Sequence, residues 1–83
     1  MNLRMCRHGK IGKIKSINAE GVVLQKLYDM GFLPGVSLEV LRVAPLNDPL
    51  QIKIHNYLIG LRADEAECIE LEATEDTRKD IRN

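Results

Sequence analysis

Apolar and polar residues alternate along most of this chain, and the period changes to a helical one once. Lys13-Ile14-Lys15-Ser16-Ile17 reads as a first strand following the turn signal His8-Gly9. Val23, Leu24, Leu27 and Met30 then recur at the spacing of one helix face, with Asn18 placed to cap its start. Gly21 inside the first turns weakens such a helix by about 1 kcal/mol relative to Ala, so tertiary packing has to hold it. Gly31 stands where a helix end wants a left-handed residue, and Phe32 can fold back on that end.

Pro34-Gly35 is a type II turn pair. Val36, Leu38 and Val40 alternate with Ser37 and Glu39, after which the apolar phase moves to Leu41 and Val43. A bulge near residue 40 explains that change of phase. Residues 44–49 form a loop stiffened by Pro45 and Pro49. Leu50, Ile52 and Ile54 alternate as a strand, His55-Asn56 suits a tight turn, and Tyr57, Ile59 and Leu61 make the second arm of a hairpin. Residues 63–67 suit one helical turn, and Cys68-Ile69-Glu70-Leu71-Glu72 a last strand. The expectation is a mainly β fold: a small SH3-like β-barrel of about five strands with one α-helix after the first strand. An OB-type barrel is second, because its helix usually falls between later strands. Residues 1–72 make the domain, and 73–83 a polar, flexible tail.

The length of 83 residues allows one small domain. A chain of this size buries roughly 60% of its unfolded surface. Its whole stability is on the order of 4–12 kcal/mol, which leaves little to hold a strained catalytic site. Two cysteines are too few for a disulfide framework. Neither an apolar leader nor an 18-residue apolar run is present, which suggests a soluble, reduced, cytoplasmic protein. Aromatics are 4% with no Trp, and the formal charge is zero, so nucleic acid is a poor partner. The zero hides an asymmetry. Residues 1–62 hold nine basic and four acidic side chains, and residues 63–83 hold three and eight. That distribution suits two solvated surfaces, a basic face for an acidic partner, or pairing between the two ends.

No nucleophile with a supporting base is visible, so the chain is not expected to be an enzyme. Gly12-Lys13 lacks both the earlier glycine and the following Ser or Thr of a phosphate-binding loop, since Arg7 and Ile14 hold those positions. Cys6 and His8 are zinc-type ligands two residues apart, and His55 and Cys68 would complete four if the strands converge. The alternative is a surface histidine and a partly buried thiol. Asp64, Glu65, Glu67, Glu70 and Glu72 suit a solvated face better than a hard-cation site.

Met30-Gly31-Phe32-Leu33-Pro34-Gly35 resembles the leucine-glycine-aromatic-x-proline-glycine motif of the FeoA family, small accessory proteins of bacterial ferrous-iron transport. Residues 44–49, Ala-Pro-Leu-Asn-Asp-Pro, resemble the family's alanine-proline-x-glycine-aspartate-proline loop. Tyr57 to Leu61, and Leu61-Arg62 with Ala66, are similar to its closing hairpin and leucine-arginine-x-x-x-alanine segment. Asn47 and Asn56 replace glycines of the pattern, Met30 a leucine and Lys26 an arginine. The resemblance implies an SH3-like barrel, a cytosolic location and no catalysis. It implies as partner the FeoB transporter with its GTP-binding domain, and the membrane is reached only through that transporter. The related barrel of iron-dependent repressors keeps a second reading open, a regulatory domain that binds Fe2+ or Zn2+. A shallow apolar groove for the partner would be framed by Leu27, Met30, Phe32, Leu33 and Pro34 on one side, and by Ala44, Pro45, Leu46, Asp48 and Pro49 on the other. The same glycines and prolines also serve as turn determinants, and Leu27, Leu33 and Leu46 as core.

Overall fold

The first strand, β1 (Ile11–Ile17), is the hinge of the whole sheet, because it serves two partners in turn. Its first half, Ile11 to Lys13, pairs antiparallel with β2 (Ser37–Val43). Its second half, from Ile14 to Ile17, pairs antiparallel with β5 (Ile69–Leu71). A register break between Ile14 and Ser16 lets one strand do both. The computed structural model describes residues 1–43 and 49–72.

After β1 the chain enters α1 (Gly21–Asp29), and later β3 (Leu50–Ile54), β4 (Tyr57–Leu61) and the short α2 (Ala63–Ala66). A 3-10 turn, Leu3–Met5, precedes β1. The sheet order is β4-β3-β2-β1-β5. The fold is therefore mainly β, a five-stranded antiparallel sheet with one substantial helix following the first strand. Barrel describes it only loosely, since β4 and β5 stand at opposite ends and do not pair. The outer edge of β5 is instead met by the N-terminal residues: the Leu71 amide donates to the Met1 carbonyl at 2.8 Å, and Asn2 bridges Glu70.

Local chemistry accounts for most of the path. The expected bulge in β2 is present, with register moving between Val40 and Arg42 so that Leu41 is the extra residue. The β3–β4 hairpin turns through His55 and Asn56, both at positive φ (53° and 69°). That matches a type I′ turn, whose twist fits the strands it joins. The helix does not start at Asn18 as the sequence suggested. Glu20 is still extended, and Gly21, at φ 65°, makes the bend into α1 without a side-chain cap. The Asn18 amide donates to the Cys68 carbonyl at 2.7 Å, which continues the β1–β5 ladder instead.

One hydrophobic core joins these parts. Ile14, Val40, Leu50, Ile52, Leu61 and Ile69 have no exposed surface, and Leu3 closes it from the N-terminal turn. At roughly 1.5–3 kcal/mol per buried aliphatic side chain, these residues supply the main drive for folding. Helix α1 contributes one fully buried residue, Leu27, while Leu24 and Met30 are half-buried and Val23 exposed. Glu65 ties α1 to α2. Its carboxylate accepts from the Arg62 amide at 3.1 Å and from Lys26 Nζ at 2.5 Å.

The charge asymmetry is met in part inside the molecule. Arg4 pairs with Glu67, and the N-terminal amine with Glu70, so the start of the chain lies beside these two acidic residues. Arg7, Lys13 and Lys15 are exposed. No helix among the described residues is long and apolar enough to cross a membrane.

Candidate functional site

The segment after α1 is built by its glycines and prolines. Phe32 donates its amide to the Leu27 carbonyl at 3.0 Å, and Gly31 to the Tyr28 carbonyl at 2.9 Å. These two bonds are a Schellman cap, with Gly31 at φ 97° and the accompanying apolar pair Leu27 and Phe32 both buried. The next turn closes from the Val36 amide to the Leu33 carbonyl at 3.1 Å, with Gly35 at φ 92°. Gly35 also donates to Ile14 at 2.8 Å, which docks the turn on β1.

This geometry divides the residues expected to frame a groove. Leu27 and Phe32 are completely buried, so they serve the core and present nothing to a partner. Their burial follows from the cap, which folds Phe32 back beneath the helix end. Met30 is half-buried against the core. Leu33, 43% exposed, and Pro34 face solvent at the tip of the turn. Pro49 is exposed as well. Ala44, Pro45, Leu46 and Asp48 lie outside the described residues, and so does the expected tail, 73–83.

A depression of about 260 Å³ opens on the sheet beside the hairpin, lined among others by Ile11, Glu39, Lys53 and His55. Cross-strand register sets Ile11, Glu39, Lys53 and Leu58 in one row over four strands, on the face away from the core. Ile11 and Leu58 (70% exposed) form its apolar ends around a charged centre. His55 joins this depression to the helix end, with its Nε2 3.2 Å from the Gly31 carbonyl oxygen.

Sequence reasoning missed Ile11, Tyr57 and Leu58 as surface groups. The signal was present in Tyr57-Leu58-Ile59, three consecutive apolar residues that break the alternation expected of a half-buried strand. In β4, Tyr57 and Leu58 are both exposed, and Leu61 alone is fully buried. A two-residue hairpin makes Ile54–Tyr57 a hydrogen-bonded pair, so Lys53–Leu58 and Gln51–Gly60 are not. The backbone groups of Leu58 and Gly60 therefore point to the outer edge of β4, where no described strand pairs with them.

The four residues considered as metal ligands do not converge. Among the described residues no three His, Cys, Asp or Glu side chains gather as a metal site. Cys6 is buried, and that burial pushes its thiol up against the opposing pull of Lys10 and the N-terminal amine. Cys68 is half-buried. Its thiol is also pushed up, first by burial and then by Asp64, Glu67 and Glu65. His8 is exposed at the Gly9 turn, and His55 lies at the hairpin.

Comparison with known proteins gives a consistent picture. The FeoA domain model matches residues 1–73. A fusion protein of Porphyromonas gingivalis (strain ATCC BAA-308 / W83), Fe(2+) transport protein A joined to the Fe(2+) transporter FeoB, is 33% identical over 72 residues, which is 87% of this chain. The chain spans only 8% of that relative's length. The solution structure of iron(II) transport protein A from Clostridium thermocellum is 43% identical, with a TM-score of 0.83, covering 87% of this chain and 44% of that one. FeoA from Chlorobium tepidum is 33% identical with the same TM-score, 0.83, covering 95% of this chain and 75% of that one. Two more distant structures share the fold alone. The zinc complex of Stenotrophomonas maltophilia FeoA, described as an SH3 domain protein, is 20% identical (TM-score 0.77, covering 87% and 89% of the two chains). A manganese-dependent transcriptional repressor complexed with manganese is 22% identical (TM-score 0.79, covering 87% and 35%).

Proposed function

The chain belongs to the FeoA family, and from that premise we propose that it is a non-catalytic, cytoplasmic accessory protein that binds the cytosolic part of an FeoB-type GTP-binding ferrous-iron transporter. The observation that carries the reading is the Porphyromonas gingivalis fusion, in which a segment matching 87% of this chain is continuous with the transporter. Two parts of one polypeptide are held at high effective concentration, so a docking contact between them needs only modest intrinsic affinity. The surface best suited to such a contact is the turn after α1, where Leu33 and Pro34 are exposed on a rigid frame.

Calorimetry of this chain with the cytosolic region of an FeoB-type transporter tests the reading. Binding with a Kd of roughly 1–50 μM is expected, equivalent to about 6–8 kcal/mol. Leu33→Ala should weaken it several-fold while leaving stability within about 0.5 kcal/mol. Leu27→Ala should instead cost about 2–5 kcal/mol of stability, as core truncations do. No heat at 100 μM of both partners, on the order of twice the upper limit above, overturns the proposal.

A second reading, a regulatory domain responsive to Fe2+ or Zn2+, is favoured by the zinc complex and the manganese-bound repressor that share this fold. Against it stands the separation of His55 from Cys6 and His8 in the fold. Titration with Fe2+ or Zn2+ while following the imidazole resonances of His8 and His55 separates the two readings. Coordinated shifts of both histidines at micromolar metal would favour the regulatory one.

A further inference from the structure

The N-terminal segment carries an unusual density of soft donors: Met1, Met5, Cys6 and His8 fall within eight residues. The fold gathers them. The 3-10 turn Leu3–Met5 reverses the chain so that Cys6 Sγ lies 3.7 Å from Met1 Sδ. A cavity of about 380 Å³ opens beside these sulfurs, and Met5 and His8 line it too. Met1 is held in place by its own backbone, through the Leu71 amide and through the pairing of its amine with Glu70 at 2.5 Å.

We propose that this cavity is a binding site for a soft monovalent cation, cuprous copper, with Cys6 and Met1 as the central ligands and Met5 and His8 completing the shell. With metal–sulfur bonds of about 2.3 Å, a tetrahedral angle sets two sulfur ligands roughly 3.8 Å apart. The observed 3.7 Å therefore admits a shared ion with little rearrangement. That distance is also a van der Waals contact, so the choice of ion rests on the surrounding donors. Thioether, thiolate and imidazole select Cu(I), whereas hard cations want oxygen. No carboxylate side chain lines the cavity, while Arg7 and Lys10 do. A lining with two cationic side chains and no carboxylate disfavours a divalent ion more than a monovalent one. Binding replaces the Cys6 thiol proton, which is released to solvent, and no electron is transferred.

Ag(I), a redox-inert probe of the same ligand preference, tests the site in the full chain carrying Cys68→Ser, so that Cys6 is the one remaining thiol. The methyl carbons of the three methionines report the outcome, with Met30, packed against the core away from this cavity, as internal reference. The expected result is one Ag(I) per chain, with the Met1 and Met5 methyls shifting in step and Met30 unmoved. Cys6→Ser and Met5→Leu should each weaken binding by at least the roughly 10–100-fold that loss of a supporting residue costs at metal sites. Met5 is 68% exposed, so its variant keeps the fold even if Cys6→Ser does not. Zn2+ should bind at least tenfold more weakly than Ag(I), a difference of about 1.4 kcal/mol. Any of three results overturns the site: no shift at Met1 and Met5, an affinity for Ag(I) unchanged by Met5→Leu, or Zn2+ binding as tight as Ag(I). None of these bears on the docking proposed above, which is placed at the turn after α1.

Discussion

Replacing Gly31 by Ala puts the cap after α1 to a quantitative test. Gly31 has φ 97°, a backbone region that costs an L-residue roughly 1–2 kcal/mol. A Cβ built there lies 2.8 Å from Cδ2 and 3.1 Å from Nε2 of His55. The first contact is too short, so the imidazole has to move and give up its position 3.2 Å from the Gly31 oxygen. Losing that hydrogen bond costs about 0.5–1.5 kcal/mol. The two effects together come to roughly 1.5–3.5 kcal/mol, a large part of a total stability on the order of 4–12 kcal/mol. Urea unfolding of four proteins resolves them: wild type, Gly31→Ala, His55→Ala and the double variant. With His55 truncated, only the backbone cost should remain, so Gly31→Ala then costs about 1–2 kcal/mol, and the coupling is about 0.5–1.5 kcal/mol. A loss below about 0.5 kcal/mol in the wild-type background would refute the strain. An equal loss in both backgrounds would refute the contact with His55.

Three further outcomes follow from the same geometry. Glu65→Ala removes the acceptor of both the Arg62 amide and Lys26, and should cost about 1–2 kcal/mol, whereas Lys26→Ala removes only a half-exposed ion pair and should cost under about 1 kcal/mol in the same urea assay. Asn56→Gly, at φ 69° in the hairpin, should raise the melting temperature by a few degrees, with a gain of up to about 1 kcal/mol, and a fall would show that the turn is not type I′. Cys6 has its thiol raised by burial, so above the ordinary thiol range near 8.5 the unfolded chain releases a proton that the folded chain keeps, and folding loses stability as pH rises. Wild type should therefore lose its margin over Cys6→Ala at up to about 1.4 kcal/mol per pH unit above that range, and a margin constant from roughly pH 8 to 10 contradicts the burial effect.

The turns and strands were legible because their determinants are local. Gly31, Pro34-Gly35 and His55-Asn56 each specify a backbone conformation that few other residues adopt, and the phase change from Val40 to Leu41 announces a bulge whatever the rest of the fold does. The start of α1 was not legible. Asn18 has the chemistry of a cap, but its amide belongs to the β1–β5 ladder, a pairing between residues fifty positions apart that no local pattern encodes. The pairing of β1 with two strands is long-range in the same way. The site was less legible still, since a leucine in an apolar stripe looks the same whether a cap buries it, as with Leu27, or a turn presents it, as with Leu33.

That distinction decides how the family resemblance bears on function. Most of the described positions that carry it are turn and core determinants: Gly31 and Gly35 set φ, Pro34 stiffens a turn, and Phe32 and Leu61 fill the core. They set the backbone and fill its core, and so they identify the architecture before they identify a partner. A docking surface has to come from residues that the backbone leaves free to vary. Among the described residues these include the exposed apolar groups Ile11, Leu33, Tyr57 and Leu58, which no turn or core requirement explains. Exchanging Tyr57 and Leu58 for Thr, a residue that suits an edge strand, should leave the fold intact within about 1 kcal/mol. Transporter affinity after that exchange then tells whether the edge of β4 extends the contact begun at Leu33: an unchanged Kd confines docking to the turn after α1, and a rise of tenfold or more makes the hairpin part of it.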